Sequence, residues 1–152
     1  MGRETERKFL AAELPFSLSG YERLDICQAY VSKDPVIRIR RENGAYYLTV
    51  KGAGLLSREE FELGLTREQF ERLALKAETG FIEKTRSLIP LENGLVAELD
   101  VYAGALSGLK TVEVEFESEE AAERFAAPLW FGREITFDSA YKNVNLAVRG
   151  KP

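Results

Sequence analysis

The stretches Val36-Ile37-Arg38-Ile39-Arg40 and Val96-Ala97-Glu98-Leu99-Asp100-Val101 place charged side chains two residues apart with apolar residues between them. In an extended strand, successive side chains point to opposite faces. Each charged pair therefore projects from one face, and Ile37/Ile39 or Leu99/Val101 from the other. The pattern recurs along the chain. Acidic pairs stand at Glu4/Glu6, Glu60/Glu62, Glu98/Asp100 and Glu113/Glu115, with Glu117 extending the last. Basic pairs stand at Arg38/Arg40 and Lys84/Arg86. Lys8 continues the first acidic pair, and Lys51 ends the run that follows Arg38/Arg40.

Working outward, period-two runs predict strands over residues 4–10, 24–32, 36–41, 46–51, 59–65, 81–89, 95–102 and 111–117. Asn43-Gly44 joins the third and fourth as a tight hairpin, and Asn93-Gly94 follows Pro90 before the seventh. Lys51-Gly52-Ala53-Gly54 makes a looser connection. A helix is expected over 66–76, opened by the capping-box pattern Thr66-Arg67-Glu68-Gln69, with Phe70, Leu73 and Ala74 on one face. Ser118 is placed to cap a second helix over 119–126, and a third is expected over 139–149. The stretch Pro128-Leu129-Trp130-Phe131-Gly132 reads as an aromatic connector that packs. Arg133 lies outside the alternation and is assigned to the surface. With 152 residues and neither repeat nor linker, the chain reads as a single mainly β domain over 1–152. Eight strands in that length give a barrel or a sandwich with accessory helices.

Composition narrows the chemistry. The chain has no histidine, which excludes Ser-His-Asp and Cys-His nucleophile catalysis and every His-ligated metal site. Its lone Cys27 can close no intramolecular disulfide. Any bound metal must then take carboxylate ligands, which points to hard ions such as Mg²⁺, Mn²⁺ or Ca²⁺. With 21 Lys plus Arg against 25 Asp plus Glu, the net charge of −4 does not suggest a duplex nucleic acid as main partner. No apolar run approaches the roughly 20 residues that span a bilayer. The charged start Met1-Gly2-Arg3-Glu4 lacks the apolar stretch of a signal peptide, so a cytoplasmic protein is expected.

Two architectures share this alternation. An antiparallel sheet can keep one wet charged face and one dry face. A closed barrel can instead turn the charged faces inward. About fifteen unsolvated charges would then cost several kcal/mol each, against a total stability of roughly 5–15 kcal/mol. Such a lumen must hold water and counter-ions. Clustered Arg and Lys grip phosphate oxygens and carboxylates hold divalent metal, so these walls suit a polyanion bound with metal.

The segment Glu4-Thr5-Glu6-Arg7-Lys8 resembles the N-terminal Glu-x-Glu-x-Lys signature of the CYTH superfamily, the triphosphate tunnel metalloenzymes. Gln28-Ala29-Tyr30, Arg38-Ile39-Arg40, Leu48-Thr49-Val50-Lys51, Glu60-Phe61-Glu62, Glu83-Lys84-Thr85-Arg86, Glu98-Leu99-Asp100-Val101, Glu113-Val114-Glu115-Phe116 and Tyr141-Lys142-Asn143 follow in family order. The likeness spans nearly the whole chain and lies nearest the small bacterial members that resemble inorganic triphosphatases. One departure is Ala29, where glycine is expected before the tyrosine, with a narrowed wall as its consequence.

The resemblance implies an eight-stranded antiparallel closed barrel whose tunnel binds triphosphate with Mg²⁺ or Mn²⁺, as one or two ions. It implies that Lys8, Arg38, Arg40, Lys51, Lys84, Arg86 and Lys142 hold phosphate. Glu4, Glu6, Glu60, Glu62, Glu98, Asp100, Glu113 and Glu115 form the acidic side, with Glu4, Glu6, Glu113 and Glu115 the foremost metal ligands. Lys8 and Tyr30 are the implied catalytic pair, Lys8 with a pKa lowered by surrounding cations; a phosphate clamp and a wall aromatic are the plainer readings of the two. The implied reaction cleaves inorganic tripolyphosphate to pyrophosphate and phosphate. Class IV-like adenylate cyclase chemistry, hydrolysis of thiamine or nucleoside triphosphates, and non-catalytic polyphosphate or nucleotide binding stay open at this point. The expected partner is a small-molecule triphosphate, with no nucleic acid and no membrane, and a homodimer is left open.

Overall fold

The computed structural model describes residues 2–152. All eight expected runs are strands, with ends shifted by at most two residues. They are β1 (Gly2–Ala11), β2 (Glu22–Ser32), β3 (Val36–Glu42), β4 (Ala45–Lys51), β5 (Ser57–Leu65), β6 (Ile82–Pro90), β7 (Val96–Tyr102) and β8 (Lys110–Glu115). A ninth, β9, covers Phe131–Glu134. The helices are α1 (Arg67–Ala74), α2 (Glu119–Arg124) and α3 (Asn143–Arg149). None is long and apolar enough to cross a membrane.

The strands follow the order β5-β4-β3-β2-β6-β7-β8-β1-β9, every pairing is antiparallel, and β5 also pairs with β1. That last pairing, from Gly2↔Glu60 to Thr5↔Ser57, closes an eight-stranded barrel. The sandwich alternative is thereby set aside. Closure leaves these eight strands no long free edge, a benefit that open sheets must find elsewhere. At the β3–β4 hairpin Asn43 adopts φ 53°, a conformation Asn tolerates better than most residues. Its side-chain oxygen accepts the Asp25 N–H at 2.8 Å, which ties the turn to β2.

The barrel is apolar outside and charged inside. Phe9, Leu99, Val112, Val114, Phe116, Trp130 and Phe131 form the main core between the outer wall and the α2–β9 layer. Ile82, Tyr102, Leu106, Leu109 and Leu146 form a second core. Against β4, Phe70 of α1 packs on Tyr46 and Phe81. Ala29 pairs with Ile39, and both are fully buried on the outward face. The alanine therefore does not narrow the tunnel, because alternation turns its neighbours Gln28 and Tyr30 inward instead.

Both expected caps are present. Thr66 and Gln69 form a reciprocal capping box on α1, and the Ser118 side chain accepts from the Ala121 N–H on α2. Two expectations change. The aromatic connector runs directly into β9, which pairs with β1 at Phe9↔Glu134 and Ala11↔Phe131. β5 covers only the first half of that edge of β1, and β9 takes up the donors and acceptors of the second half. The expected helix over 139–149 is broken. Residues Ser139–Tyr141 form a 3₁₀ turn, Lys142 is extended at φ −62° and ψ 136°, and α3 starts at Asn143. Helical periodicity alone carried no sign of that break.

A Cβ added at Gly132 would sit 2.9 Å from the Leu10 carbonyl oxygen, where β9 crosses β1. Gly132→Ala should destabilise the protein by about 1–3 kcal/mol through forced backbone displacement. Thermal denaturation checks this, and an unchanged midpoint would mean that β9 docks loosely.

Candidate active site in the barrel lumen

The inward faces of the strands enclose a cavity of 270 Å³. Of the residues singled out in the sequence, Glu4, Glu6, Lys8, Tyr30, Arg38, Arg40, Lys51, Glu60, Glu62, Arg86, Glu98, Glu113, Glu115 and Lys142 line it. They come from all eight barrel strands and from the break before α3, so barrel closure gathers residues more than 130 positions apart in the chain.

The charges are arranged in cross-strand sets. Near the β1–β5 closure, Lys51 Nζ lies 3.0 Å from Glu4 and 3.5 Å from Glu60, with Arg58 3.7 Å from Glu4. Deeper along β1, Lys8 Nζ lies 3.6 Å from Glu113 and donates to the Tyr141 carbonyl at 2.8 Å. The cationic surroundings expected for Lys8 are therefore not what it meets; its nearest charge is a carboxylate. Arg86 donates in bidentate fashion to Asp100 at 2.8 and 2.9 Å and also reaches Glu98 at 2.8 Å.

Arg38 and Arg40 differ from these. Arg38 donates to Thr49 Oγ1 at 3.1 Å and Arg40 to Gln28 Oε1 at 2.9 Å, so each is held by a neutral group. The buried Arg38 Nε has no hydrogen-bond partner among the described residues. Burial, then the charges of Arg38 and Arg86, push the Arg40 pKa down to about 10. A buried cation set with a spare donor and mutual repulsion is the electrostatic complement of an anion.

Lys84 and Asp100 do not line the cavity. Their side chains share the inward face with Arg86 and Glu98 but are buried beyond the cavity, and they pair at 2.7 Å. Burial outweighs the attraction of Asp100 and lowers Lys84 to about 7. Arg86 and Lys84 overcome the burial of Asp100 and hold it at about 2. This pair supports Arg86 from beneath.

Several lining residues were missed. Arg58 shares the inward alternation of Glu60 and Glu62 and lay one residue outside the run expected from 59. Glu42 extends Arg38/Arg40 by one further step. Both were legible as alternation. Thr136, Asp138 and Tyr141 arrive on an irregular segment that carries no such pattern. Arg133 is exposed, as expected, beside Tyr141 and Asp138.

Comparison with known proteins matches the CYTH domain model over residues 2–144. The chain belongs to the CYTH domain family. It is 43% identical over 148 residues to an inorganic triphosphatase of Nitrosomonas europaea, covering 95% of this chain and 97% of that one. An inorganic triphosphatase of Acetivibrio thermocellus is 37% identical over 150 residues, covering 96% and 94%. A crystal structure of an inorganic triphosphatase superposes with TM-score 0.72 at 39% identity, covering 100% of this chain and 99% of that one.

The acidic side of this CYTH tunnel has the donor chemistry of a hard divalent cation. Glu60 shares a hydrogen bond with Glu4; burial and that neighbour raise Glu60 to about 7. Burial, Glu113 and Glu4 hold Glu6 well above the carboxylate range, while Glu113 lies well below it despite its burial, with Lys8 the foremost cause. Carboxylates crowded so closely that protons are retained between them suit a hard divalent cation, whose binding would displace those protons.

Removing the buried Asp100 carboxylate should be costly. Asp100→Ala leaves Lys84 without its carboxylate partner and Arg86 with Glu98 alone, and about 3–5 kcal/mol of stability should be lost. In the native protein Asp100 contributes stability fully above its ordinary pKa of 3.8, and loses it as pH falls toward about 2. Denaturant titrations between pH 5 and pH 2 should show the native and Asp100→Ala proteins converging as the pH drops.

Proposed function

We propose that this CYTH protein hydrolyses inorganic tripolyphosphate to pyrophosphate and phosphate, with Mg²⁺ or Mn²⁺ as cofactor. The observation that carries this is Arg38 and Arg40, two buried guanidinium groups without carboxylate partners, facing proton-sharing carboxylates across one cavity. A linear polyanion fits between such walls only if metal joins its oxygens to the acidic side. The names of the two relatives agree with that substrate.

Arg38, Arg40, Lys51, Arg86 and Lys142 bind the phosphates in this reading, the arginines through paired N–H donors and the lysines as point charges. Arg58, on the same wall as Lys51, belongs with them. Lys84 acts through Asp100 and Arg86 instead of by direct contact. Glu4, Glu6, Glu113 and Glu115 would hold the metal. Glu60, Glu62 and Glu98 set the charge around them, and Asp100 does so through Arg86. No three carboxylates among the described residues already form a metal cage, so phosphate oxygens and water complete the coordination, as is usual for Mg²⁺. When bound, the ion supplies Lewis acidity toward phosphate oxygens and lowers the pKa of water.

The chain's own contribution is alignment and charge neutralisation, the main requirements of phosphoryl transfer. Lys8, fixed between the Tyr141 carbonyl and Glu113, sits where its ammonium offsets charge on the reacting phosphoryl group. Burial raises the Tyr30 pKa, so its phenol keeps its proton and serves as a donor to a phosphate oxygen. Water attacks the terminal phosphorus, the P–O bond to the bridging oxygen breaks, and pyrophosphate leaves.

Phosphate release from tripolyphosphate and from ATP, each with Mg²⁺, Mn²⁺ or chelator, tests the proposal. Metal-dependent cleavage of tripolyphosphate well above ATP is expected, with Glu6→Gln folded and at least about 100-fold slower. Cyclic AMP from the ATP samples, or turnover retained by Glu6→Gln, would overturn the corresponding assignment. Glu60, at about 7 in the free protein, must lose its proton before the acidic side carries its full charge. Activity at limiting metal should therefore rise from pH 6 to pH 8, and Glu60→Gln should flatten that rise.

A further inference from the structure

The Lys142 side chain reaches the cavity from a single extended residue between a 3₁₀ turn and α3. A hydrogen bond from the barrel wall meets the chain on each side of it. On one side Lys8 Nζ donates to the Tyr141 carbonyl at 2.8 Å. On the other, the Tyr102 hydroxyl of β7 donates to Asn143 Oδ1 at 2.7 Å. Tyr102 is buried in the second core with Leu146 of α3, and its ring lies 5.4 Å from Lys84 Nζ. Burial raises its pKa well above the ordinary phenol value, so it stays a donor at working pH. Tyr102 is absent from the cavity lining, whereas Asn143 and Lys142 are part of it.

We infer that Tyr102 is a positioning residue for triphosphate binding: by fixing Asn143, it holds the adjacent Lys142 in the lumen against the phosphate chain. This inference rests on the proposed triphosphatase reading and assigns one of its determinants of substrate affinity. A lysine on a short, irregular segment has many rotamers and backbone positions to lose on binding, and a tether on each side removes much of that freedom beforehand. The bond from Lys8 cannot do this alone, because it fixes only the Tyr141 side of the break.

Tyr102→Phe keeps the ring beside Lys84 and removes only the donor. The KM for tripolyphosphate should rise about three- to tenfold, with kcat within about twofold, as the loss of one buried hydrogen bond predicts. The separating test is a double-mutant cycle with Lys142→Ala. Once Lys142 is truncated, adding Tyr102→Phe should cost less than about twofold more. A full, additive cost in both backgrounds would show a merely structural tyrosine and overturn the inference, as would an unchanged KM in Tyr102→Phe alone. Calorimetric binding of tripolyphosphate to the same four proteins repeats the cycle without turnover. If the native protein binds but does not cleave, the hydrolase reading falls and the cycle still decides the role of Tyr102; if it does not bind, both fall.

Discussion

The structure depends on a buried charge pairing, Asp100 with Arg86 and Lys84. A barrel with its apolar face outward must place its polar face inside, and ions removed from water cost several kcal/mol each unless paired. Asp100 meets this at the most enclosed point of the wall, with distances of 2.7 to 2.9 Å to both cations. Arg86 is thus fixed with one edge toward Asp100 and another toward Glu98, at the boundary between scaffold and cavity. Other lumen ions, Lys51, Arg58 and Lys8, are paired across strands with looser contacts of 3.0 to 3.7 Å. The close cluster holds the barrel, and the longer pairs that line the cavity can exchange partners for a ligand.

That division separates residues that look alike in sequence. Lys84 and Arg86 form one basic pair on one strand face, yet only Arg86 lines the cavity. Glu98 and Asp100 divide in the same way, with Glu98 in the cavity and Asp100 behind it. Alternation assigns a side chain to the inside of a barrel, but depth depends on strand stagger and on what covers each end. Register joins Arg86 to Asp100 and Lys84 to Tyr102, which brings Lys84 under α3 and its core. No count of residues along β6 contains that information.

The fold was legible because closure and patterning agree: eight runs, the Asn43-Gly44 hairpin and two helix caps each found the structure they predict. The cavity lining was legible along most of the regular strands, as at Glu4, Glu6, Arg38 and Arg40. It was missed where a boundary slipped by one step, as at Arg58, and where the chain is irregular, as at Thr136 and Asp138. The ninth strand escaped for a related reason. β9 exists because β5 leaves half of β1 unpaired, which is a property of the assembled barrel and not of Phe131–Glu134 themselves. The break in the expected terminal helix lies where the barrel wall bonds to the Tyr141 carbonyl and the Asn143 side chain, contacts that the local sequence does not encode.

Net charge misdirects when read as a guide to the lumen. The chain carries −4 overall, and carboxylates outnumber cations along the cavity as well. What decides anion affinity is which charges already have partners. Lys51, Arg58, Arg86 and Lys8 each face a carboxylate, while Arg38 and Arg40 face a threonine and a glutamine. The unspent positive charge is therefore concentrated on β3, where Arg40 is lowered to about 10 by burial and by its cationic neighbours. In the proposed reading, an anion bound there relieves that strain, and divalent metal on the opposite wall would release Lys51 and Lys8 from Glu4 and Glu113. The ion pairs seen in the free protein then become the source of further phosphate donors. Metal and polyanion would then each strengthen the binding of the other, because each removes the charge that the other must overcome.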